Sequence, residues 1–262
     1  MGYERRAWTL GRYMEVIERH TYKWLPPGVT ERKKKEKPTS EAVKRNNQKI
    51  AARKRRMQLE MYFGSDDVYM TLTYPKDNRP ADMKACQKDW TKLMAKVGKV
   101  FKKNEAVLRW IRNCEAGTRG AYHIHAVIKE LPAGAIGPDG RPTTTAKLVQ
   151  QIWRQMGYGR CDSQYLMSEV MALAEYITKT PESSKGTGHA VIESKCSASR
   201  NMPLPEPEIR EYKHWKTFIG REVKVPKGWI LDKSSLRDSI NPFTGFPRRE
   251  YRLIRIDGGM RC

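Results

Sequence analysis

The segment AVLRWIRNCEAGTRGAYHIHAVIKE (residues 106–130) constrains the fold of this chain more than any other feature. Two runs rich in β-branched and aromatic residues, 106–115 and 121–129, flank the glycine-containing sequence AGTRG. Such runs favour β-strands, and a short turn makes neighbouring strands antiparallel. The segment therefore predicts a β-hairpin within an antiparallel sheet.

The flanking patterns place further elements around this hairpin. DDVYMTLTYP (66–75) predicts a strand that ends at Pro75, and residues 81–104 carry their apolar side chains on one helical stripe. Residues 146–157 and 166–180 predict two more helices, with a short strand between them. The predicted fold class is α+β: an antiparallel β-sheet with flanking helices, close to a split β-α-β arrangement.

The two ends of the chain have a different character. Residues 1–38 are aromatic and basic and predict an irregular arm, and residues 40–62 predict a basic helix, so that a basic N-terminal helical extension precedes the core. A short helix is expected around PEIREYKHW (207–215). The predicted domains are a basic N-terminal arm and helix over residues 1–64 and a core domain with a C-terminal extension over residues 65–262.

The formal net charge of +22 calls for a polyanionic partner. Nucleic acid is the first candidate, and an acidic membrane surface is the second. The longest apolar runs are too short to span a bilayer, and the N-terminus lacks the features of a secretory signal. Five scattered cysteines, with no CxxC, indicate a reducing cytoplasm.

Two histidines separated by a single residue, His123 and His125, suggest a metal-binding site. Side chains at i and i+2 share one face of a strand, so His123 and His125 would lie about 7 Å apart. The hairpin brings Glu115 near His123, and two imidazoles with one carboxylate suit Mn²⁺, Mg²⁺ or Zn²⁺. In the alternative interpretation the histidines are polar residues on a wet sheet face, and Glu115 pairs with Arg112 or Arg119.

The sequence EYITK in the predicted third helix offers a nucleophile. Tyr176 and Lys179 are three residues apart and so share a helical face. A nearby ammonium or metal would favour the phenolate, which can attack phosphorus. Alone, such a pair is more often a packed tyrosine beside a solvated lysine.

Taken in order, MTLTY (70–74), Glu115 with the HIH pair, and YITK resemble the three motifs of rolling-circle replication initiators (Rep) of the HUH endonuclease superfamily. The resemblance is to single-tyrosine members from bacteria, phages and mobile elements. SASRNMPLP (197–205) resembles a segment that follows the catalytic helix in such members, and the resemblance spans about residues 40–255. It implies a ferredoxin/RRM-like HUH endonuclease core.

The resemblance also implies an activity: metal-dependent nicking and religation of single-stranded DNA. Tyr176 would attack a phosphodiester, keep the 5′-phosphate as a covalent ester and release a 3′-OH, and Lys179 would position the phosphate or help to activate the tyrosine. Glu115, His123 and His125 would hold a divalent metal, Mn²⁺ or Mg²⁺, with Zn²⁺ as a further possibility.

The implied partners are single-stranded DNA at a replication origin, which could form a hairpin, and a host helicase and polymerase in the cytoplasm, with no membrane. Ala172 and Thr180 stand where a second tyrosine would lie one turn away, which favours one nucleophile per chain. No GxxxxGK[ST] phosphate loop occurs, so unwinding would come from the host. Contacts to DNA are expected from the basic helix, the first-motif threonines and two arginines. These are Lys44, Arg45, Lys49, Arg53, Lys54, Arg55, Arg56, Thr71, Thr73, Arg119 and Arg200.

Three alternatives stay open at the level of sequence. The first is a single-tyrosine transposase or a relaxase of a mobile element, which uses the same chemistry. The second is a nonenzymatic basic nucleic-acid-binding protein whose histidines are structural. The third is a zinc hydrolase, which would form no covalent tyrosine–DNA adduct.

Overall fold

A computed structural model describes residues 2–20, 40–117, 120–166, 173, 177, 191–213, 218, 220–241 and 245–256. The chain packs as two compact units, one formed by Met1–Ile50 with Leu204–Cys262 and the other by Ala51–Pro203. Each unit contains a five-stranded antiparallel sheet. The α+β class and the antiparallel arrangement predicted from the hairpin are therefore confirmed.

The elements of the Ala51–Pro203 unit follow the sequence patterns closely. The described elements of this unit, with the helix α1 that leads into it, are α1 (Ser40–Tyr62), β3 (Val68–Thr73), a short 3₁₀ helix (Lys76–Asn78), α2 (Met83–Lys103), β4 (Trp110–Gly117), β5 (Tyr122–Ile128), α3 (Thr145–Gln155), β6 (Cys161–Tyr165) and β7 (Val191–Ala198). The sheet of this unit has the order β6-β3-β5-β4-β7.

Helices α2 and α3 cover one face of this sheet. Asp82 caps α2, because its side chain accepts a hydrogen bond from the Ala85 N–H, and Thr144 caps α3 in the same way through the Lys147 N–H. The apolar stripe of α2 is buried against alternate residues of the strands, as the helical spacing predicts. This core includes Trp90, Leu93, Phe101, Met70, Leu72, Ile124, Ala126, Leu148 and Trp153.

A second apolar cluster lies on the opposite face of the same sheet. Ile111 of β4 and Val127 of β5 contribute to it, and Leu59 from the last turns of α1 packs there fully buried. Leu173 and Ile177, both in helical conformation, belong to the same cluster. The sheet face that carries the predicted site is thus partly covered by Leu59, which precedes the strands β3 to β6 in the sequence, and by Leu173 and Ile177, which follow them.

Leu59→Ala tests how much this packing contributes to stability. Removing a fully buried leucine side chain costs about 2–5 kcal/mol of unfolding free energy, because the contacts are lost and a cavity stays. Met61→Ala, two residues along the same helix and 41% exposed, is the matched control and should cost under about 0.5 kcal/mol. Urea denaturation followed by circular dichroism measures both, and equal values would show that α1 does not anchor this cluster.

The other unit corrects the prediction of an irregular N-terminal arm and of a basic N-terminal helical extension. Residues 3–20 form a hairpin, β1 (Tyr3–Leu10) and β2 (Tyr13–His20), with Gly11 in a positive-φ conformation at its turn. Charged residues fit into this hairpin because they pair: buried Glu4 accepts hydrogen bonds from Arg6 and Arg19. The expected helix over residues 40–62 is present, but it follows a sheet and ends in the cluster above.

The predicted short helix around residues 207–215 is also wrong. Residues Glu208–Tyr212 form β8, which pairs with β1, and the ring of Tyr212 stacks on Tyr3 at 4.5 Å between centroids. Strands β9 (Trp229–Ile240) and β10 (Pro247–Arg255) complete the order β8-β1-β2-β10-β9. Strands from both terminal regions of the sequence therefore share one sheet.

Among the described residues, Cys86, Cys114, Cys161 and Cys196 are free thiols. No helix in the described ranges combines the length and the hydropathy needed to cross a bilayer.

Candidate functional site

The register of the central strands brings the motif residues together. Glu115 of β4 lies directly opposite His123 of β5, and Asn113 lies opposite His125. On the other side of β5, Thr71 of β3 pairs with His125. Because side chains alternate between the faces of a sheet, all five belong to one face, and the α2–α3 core occupies the other.

Glu115 and His125 form a close buried pair. His125 Nε2 lies 3.6 Å from Glu115 Oε2, and the two side chains are only 9% and 8% exposed. The rings of His123 and His125 are 6.4 Å apart between centroids, at an interplanar angle of 38°. Glu115, His123 and His125 therefore share one sheet face, and Glu115 and His125 are in contact.

Hydrogen bonds from neighbouring strands orient this pair. His125 Nδ1 lies 2.7 Å from the Tyr69 hydroxyl and 3.2 Å from Thr71 Oγ1. The Asn113 amide donates to Glu115 Oε1 at 2.8 Å. When Nδ1 carries the proton and donates to the Tyr69 oxygen, Nε2 presents its lone pair toward Glu115, as a metal ligand requires.

Sequence analysis missed Tyr69 and Asn113 as members of the site. The signal was the two-residue alternation itself: Tyr69 lies two residues before Thr71, and Asn113 lies two residues before Glu115. Side chains at i and i+2 in a strand share a face. Both residues could therefore have been predicted as members of the site, by including the residue two positions before each motif residue.

His123 is the more accessible of the two histidines. Its burial, together with the positive charge of Arg79, lowers the pKa of the imidazole below its usual value. The ring is therefore neutral around neutral pH, and a neutral imidazole is the form that binds metal ions. Arg112, one alternative partner for Glu115, donates instead to Cys114 Sγ and to the Lys195 carbonyl.

The donor types and the spacing of the buried pair fit a divalent ion. Two ligands bound to one ion at about 2.0–2.2 Å lie roughly 3.0–3.5 Å apart when their angle is near 90–110°, close to the 3.6 Å between His125 Nε2 and Glu115 Oε2. Within the part of the chain that the structure describes, no three His, Cys, Asp or Glu side chains converge as a ready-made metal centre.

Three of the predicted site residues, Tyr176, Lys179 and Arg119, lie outside the described residues. Ile177, which follows Tyr176 in sequence, is fully buried in the cluster on the site face, where it packs with Val127. Ile177 therefore lies against the same sheet face as Glu115 and His125.

The predicted DNA contacts fall into different environments. In α1, Lys49 and Lys54 are exposed, whereas Arg53, Arg55 and Arg56 are half-buried. Lys44 and Arg45 lie in the same helix, and their side chains are outside the description.

The remaining predicted contacts lie on the strands and after β7. Thr71 already bonds His125, and Thr73 Oγ1 donates to the Arg160 carbonyl at 3.0 Å. Arg200 is exposed. Of these residues, Lys49, Lys54 and Arg200 are the most accessible to a phosphate.

Removing both hydroxyls beside His125 should weaken metal binding. The variant Tyr69→Phe with Thr71→Val keeps the packing volume but leaves Nδ1 without its two oxygen partners. Loss of such outer partners typically lowers metal affinity about 10–100-fold, and calorimetric titration with Mn²⁺ measures it. Tyr62→Phe, whose hydroxyl donates to the Pro203 carbonyl, is the control and should bind Mn²⁺ as the wild type does. Equal affinity in the double variant would show that His125 needs no orienting partner.

The sheet of this unit thus combines a His-hydrophobe-His strand, a carboxylate on the neighbouring strand and two helices on the opposite face. The family of replication-associated proteins ORF2/G2P matches residues 67–181, which lie inside the Ala51–Pro203 unit. This segment belongs to that family of phage rolling-circle replication initiators. The resemblance drawn from the motifs is thereby confirmed. A comparison with curated proteins found no significant match, and a comparison with solved structures found none either.

Proposed function

We propose that this protein is a metal-dependent nickase and ligase of single-stranded DNA that starts rolling-circle replication. The observation that carries the proposal is the buried Glu115–His125 pair, held face to face within the segment that matches the replication-associated family. Members of that family are replication initiators and generally nick DNA.

Glu115, His123 and His125 are the proposed ligands of one divalent ion, Mn²⁺ or Mg²⁺. A bound ion would polarise a phosphoryl oxygen and stabilise the charge that develops on it. The chain prepares this site with Tyr69, Thr71 and Asn113, which orient two of the ligands. Burial of the pair strengthens these interactions, because a low local dielectric screens them less than water does.

Tyr176 is the proposed nucleophile. Its phenol oxygen forms a bond to the phosphorus of the target phosphodiester while the bond from phosphorus to O3′ breaks. The phenol proton is lost to the medium, and the departing O3′ takes up a proton to give a free 3′-OH. The 5′-phosphate stays esterified to the tyrosine, and attack by a 3′-OH on this ester reverses the reaction and reseals the strand without ATP.

Lys179 is proposed to hold the phosphate or to favour the phenolate through its charge. The accessible basic residues of α1, such as Lys49 and Lys54, are proposed to contact the DNA backbone rather than its bases. A host helicase and polymerase are the expected partners for unwinding and copying.

A denaturing gel tests the function directly. The protein is mixed with single-stranded oligonucleotides that tile the origin region of its replicon, with and without Mn²⁺. We expect a cleaved oligonucleotide and a protein band of raised mass that survives denaturation, both only when Mn²⁺ is present. Cleavage without any protein-linked product would indicate a hydrolase, and neither product with any oligonucleotide would leave the chain as a DNA-binding protein.

A further inference from the structure

The outer surface of α2 carries a row of lysines. The helix holds seven lysines and a single acidic residue, Asp89. Asp89 is nearly buried, and one carboxylate oxygen lies 3.6 Å from Lys92 Nζ. The row consists of Lys84, Lys88, Lys92, Lys96, Lys99 and Lys103, all exposed.

The spacing of these lysines puts them on one side of the helix. Successive members are three or four residues apart, so each lies beside the next, and together they form a band about 120° wide on the helix surface. From Lys84 to Lys103 the band measures about 28 Å at a rise of 1.5 Å per residue. Within the described residues, Lys84, Lys88, Lys96 and Lys99 form no salt bridge, so their charges face solvent.

The neighbouring helix extends the same positive surface. α3 packs beside α2 and contributes exposed Lys147 and Arg154 without any acidic residue of its own. Like charges one turn apart repel each other and weaken an isolated helix. An extended polyanion that binds along these lysines would therefore relieve their mutual repulsion, and this relief favours binding.

The position of this row separates it from the candidate site. α2 and α3 cover one face of the sheet, whereas Glu115, His123 and His125 lie on the other. A single strand held at the site would therefore have to pass around the sheet edge to reach the lysines. Duplex DNA is stiff over about 150 base pairs, so a row about 28 Å long on one rigid helix matches the length of roughly eight base pairs at 3.4 Å each.

We infer that the lysine row of α2 binds a second segment of DNA, a duplex, along its phosphate backbone while the other face of the sheet holds the single strand. This inference deepens the proposed function, since a rolling-circle initiator works where single-stranded and duplex DNA meet. The contact is to phosphates, so it is independent of base sequence.

Fluorescence polarisation with a labelled, unnicked duplex of about twenty base pairs tests this, at a series of salt concentrations and in EDTA. The row variant Lys84→Gln, Lys88→Gln, Lys96→Gln, Lys99→Gln keeps the helical propensity of these positions. Each lost phosphate contact flattens the log–log salt dependence by about 0.9, so we expect a decrease of about two to four units and at least tenfold weaker binding. Its melting temperature should be no lower than that of the wild type, because the repulsion is relieved.

A control with the same change of net charge uses four exposed lysines of the other unit. The variant Lys213→Gln, Lys224→Gln, Lys227→Gln, Lys233→Gln should keep the wild-type salt slope. An equal loss of duplex affinity in both variants would show that only the net charge matters. Unchanged affinity in the row variant would show that the row does not contact DNA. Either result overturns the inference.

Competition identifies which DNA occupies the row. A saturating unlabelled single-stranded oligonucleotide should leave most of the duplex bound, and full displacement would show that the row belongs to the single-strand path. A duplex RNA that binds more tightly than the DNA would also overturn the assignment. The measurement needs neither metal nor cleavage, so a protein that fails to nick DNA can still give either result here.

Discussion

Tyr176→Phe should abolish cleavage and the covalent adduct together. The change removes one hydroxyl oxygen, and with it the only atom of that side chain able to attack phosphorus. Loss of a catalytic nucleophile costs roughly 10⁴-fold or more in rate, so the denaturing gel should show neither product. Binding of the same oligonucleotide, measured by polarisation in EDTA, should change less than about threefold, because the aromatic ring stays in place.

If the adduct persists in Tyr176→Phe, another tyrosine is the nucleophile, and the structure ranks the candidates. Tyr158 packs with Tyr74 and Trp153 on the helix-covered face, and burial raises the pKa of its phenol to about 12. Tyr165 pairs with Val68, whose side chain belongs to that same face. Tyr69, which contacts His125, is the better rival. An adduct that persists in Tyr176→Phe and maps to Tyr69 by mass spectrometry would show that the nucleophile has been misassigned.

Loss of the two histidines should remove metal binding and cleavage at once. His123→Ala with His125→Ala takes away both nitrogen ligands and leaves one carboxylate. The decrease in Mn²⁺ affinity should therefore exceed the roughly 10–100-fold that outer hydrogen-bond partners cost. Calorimetric titration measures the affinity, and the gel assay measures cleavage in the same preparation.

Two further measurements separate a metal effect from a folding effect. His125 is buried and hydrogen-bonded, so its loss destabilises the sheet to some degree; His123 is more exposed, and His123→Ala alone should keep the wild-type melting temperature while still weakening Mn²⁺ binding. Excess EDTA should reproduce the loss of cleavage in the wild type. Undiminished cleavage in excess EDTA would rule out the metal mechanism.

The core of the family-matched unit was predictable because its local signals agree. The hairpin sequence sets the pairing of Glu115 with His123, and two-residue alternation puts His125 on the same face. The apolar stripe of α2 and the threonine cap of α3 each match their element closely. In these segments the local preference and the tertiary packing favour the same structure.

The β1–β2 hairpin of the terminal sheet was not predictable, because its strands carry charge where a strand pattern calls for apolar residues. In β1, Glu4, Arg5 and Arg6 are consecutive charged residues, so the first half of this strand lacks the apolar–polar alternation that predicts a half-buried strand. Glu4 is tolerated in a buried position only because Arg6 and Arg19 donate to it. Such compensation depends on a neighbouring strand, so it is invisible until the pairing is known.

For a similar reason, β8 was mistaken for a short helix. Charged residues three and four apart around PEIREYKHW suit a helix surface, yet the segment also fits an edge strand with charged side chains. The stacking of Tyr212 on Tyr3 joins residues more than two hundred positions apart. Contacts of that range leave no local trace in a sequence.

The sheet that joins residues 3–20 to residues 208–255 also sets an order of events during synthesis. The hairpin of β1 and β2 leaves the ribosome before Ala51–Pro203, but β8 and β10, which flank it on both sides, are made after that unit. Domains fold as they emerge, so Ala51–Pro203 has its strands at hand well before the terminal sheet does. A nascent chain therefore carries the Ala51–Pro203 unit folded while the hairpin of β1 and β2 still has both edges open, and the strands that pair with those edges are made only after that unit.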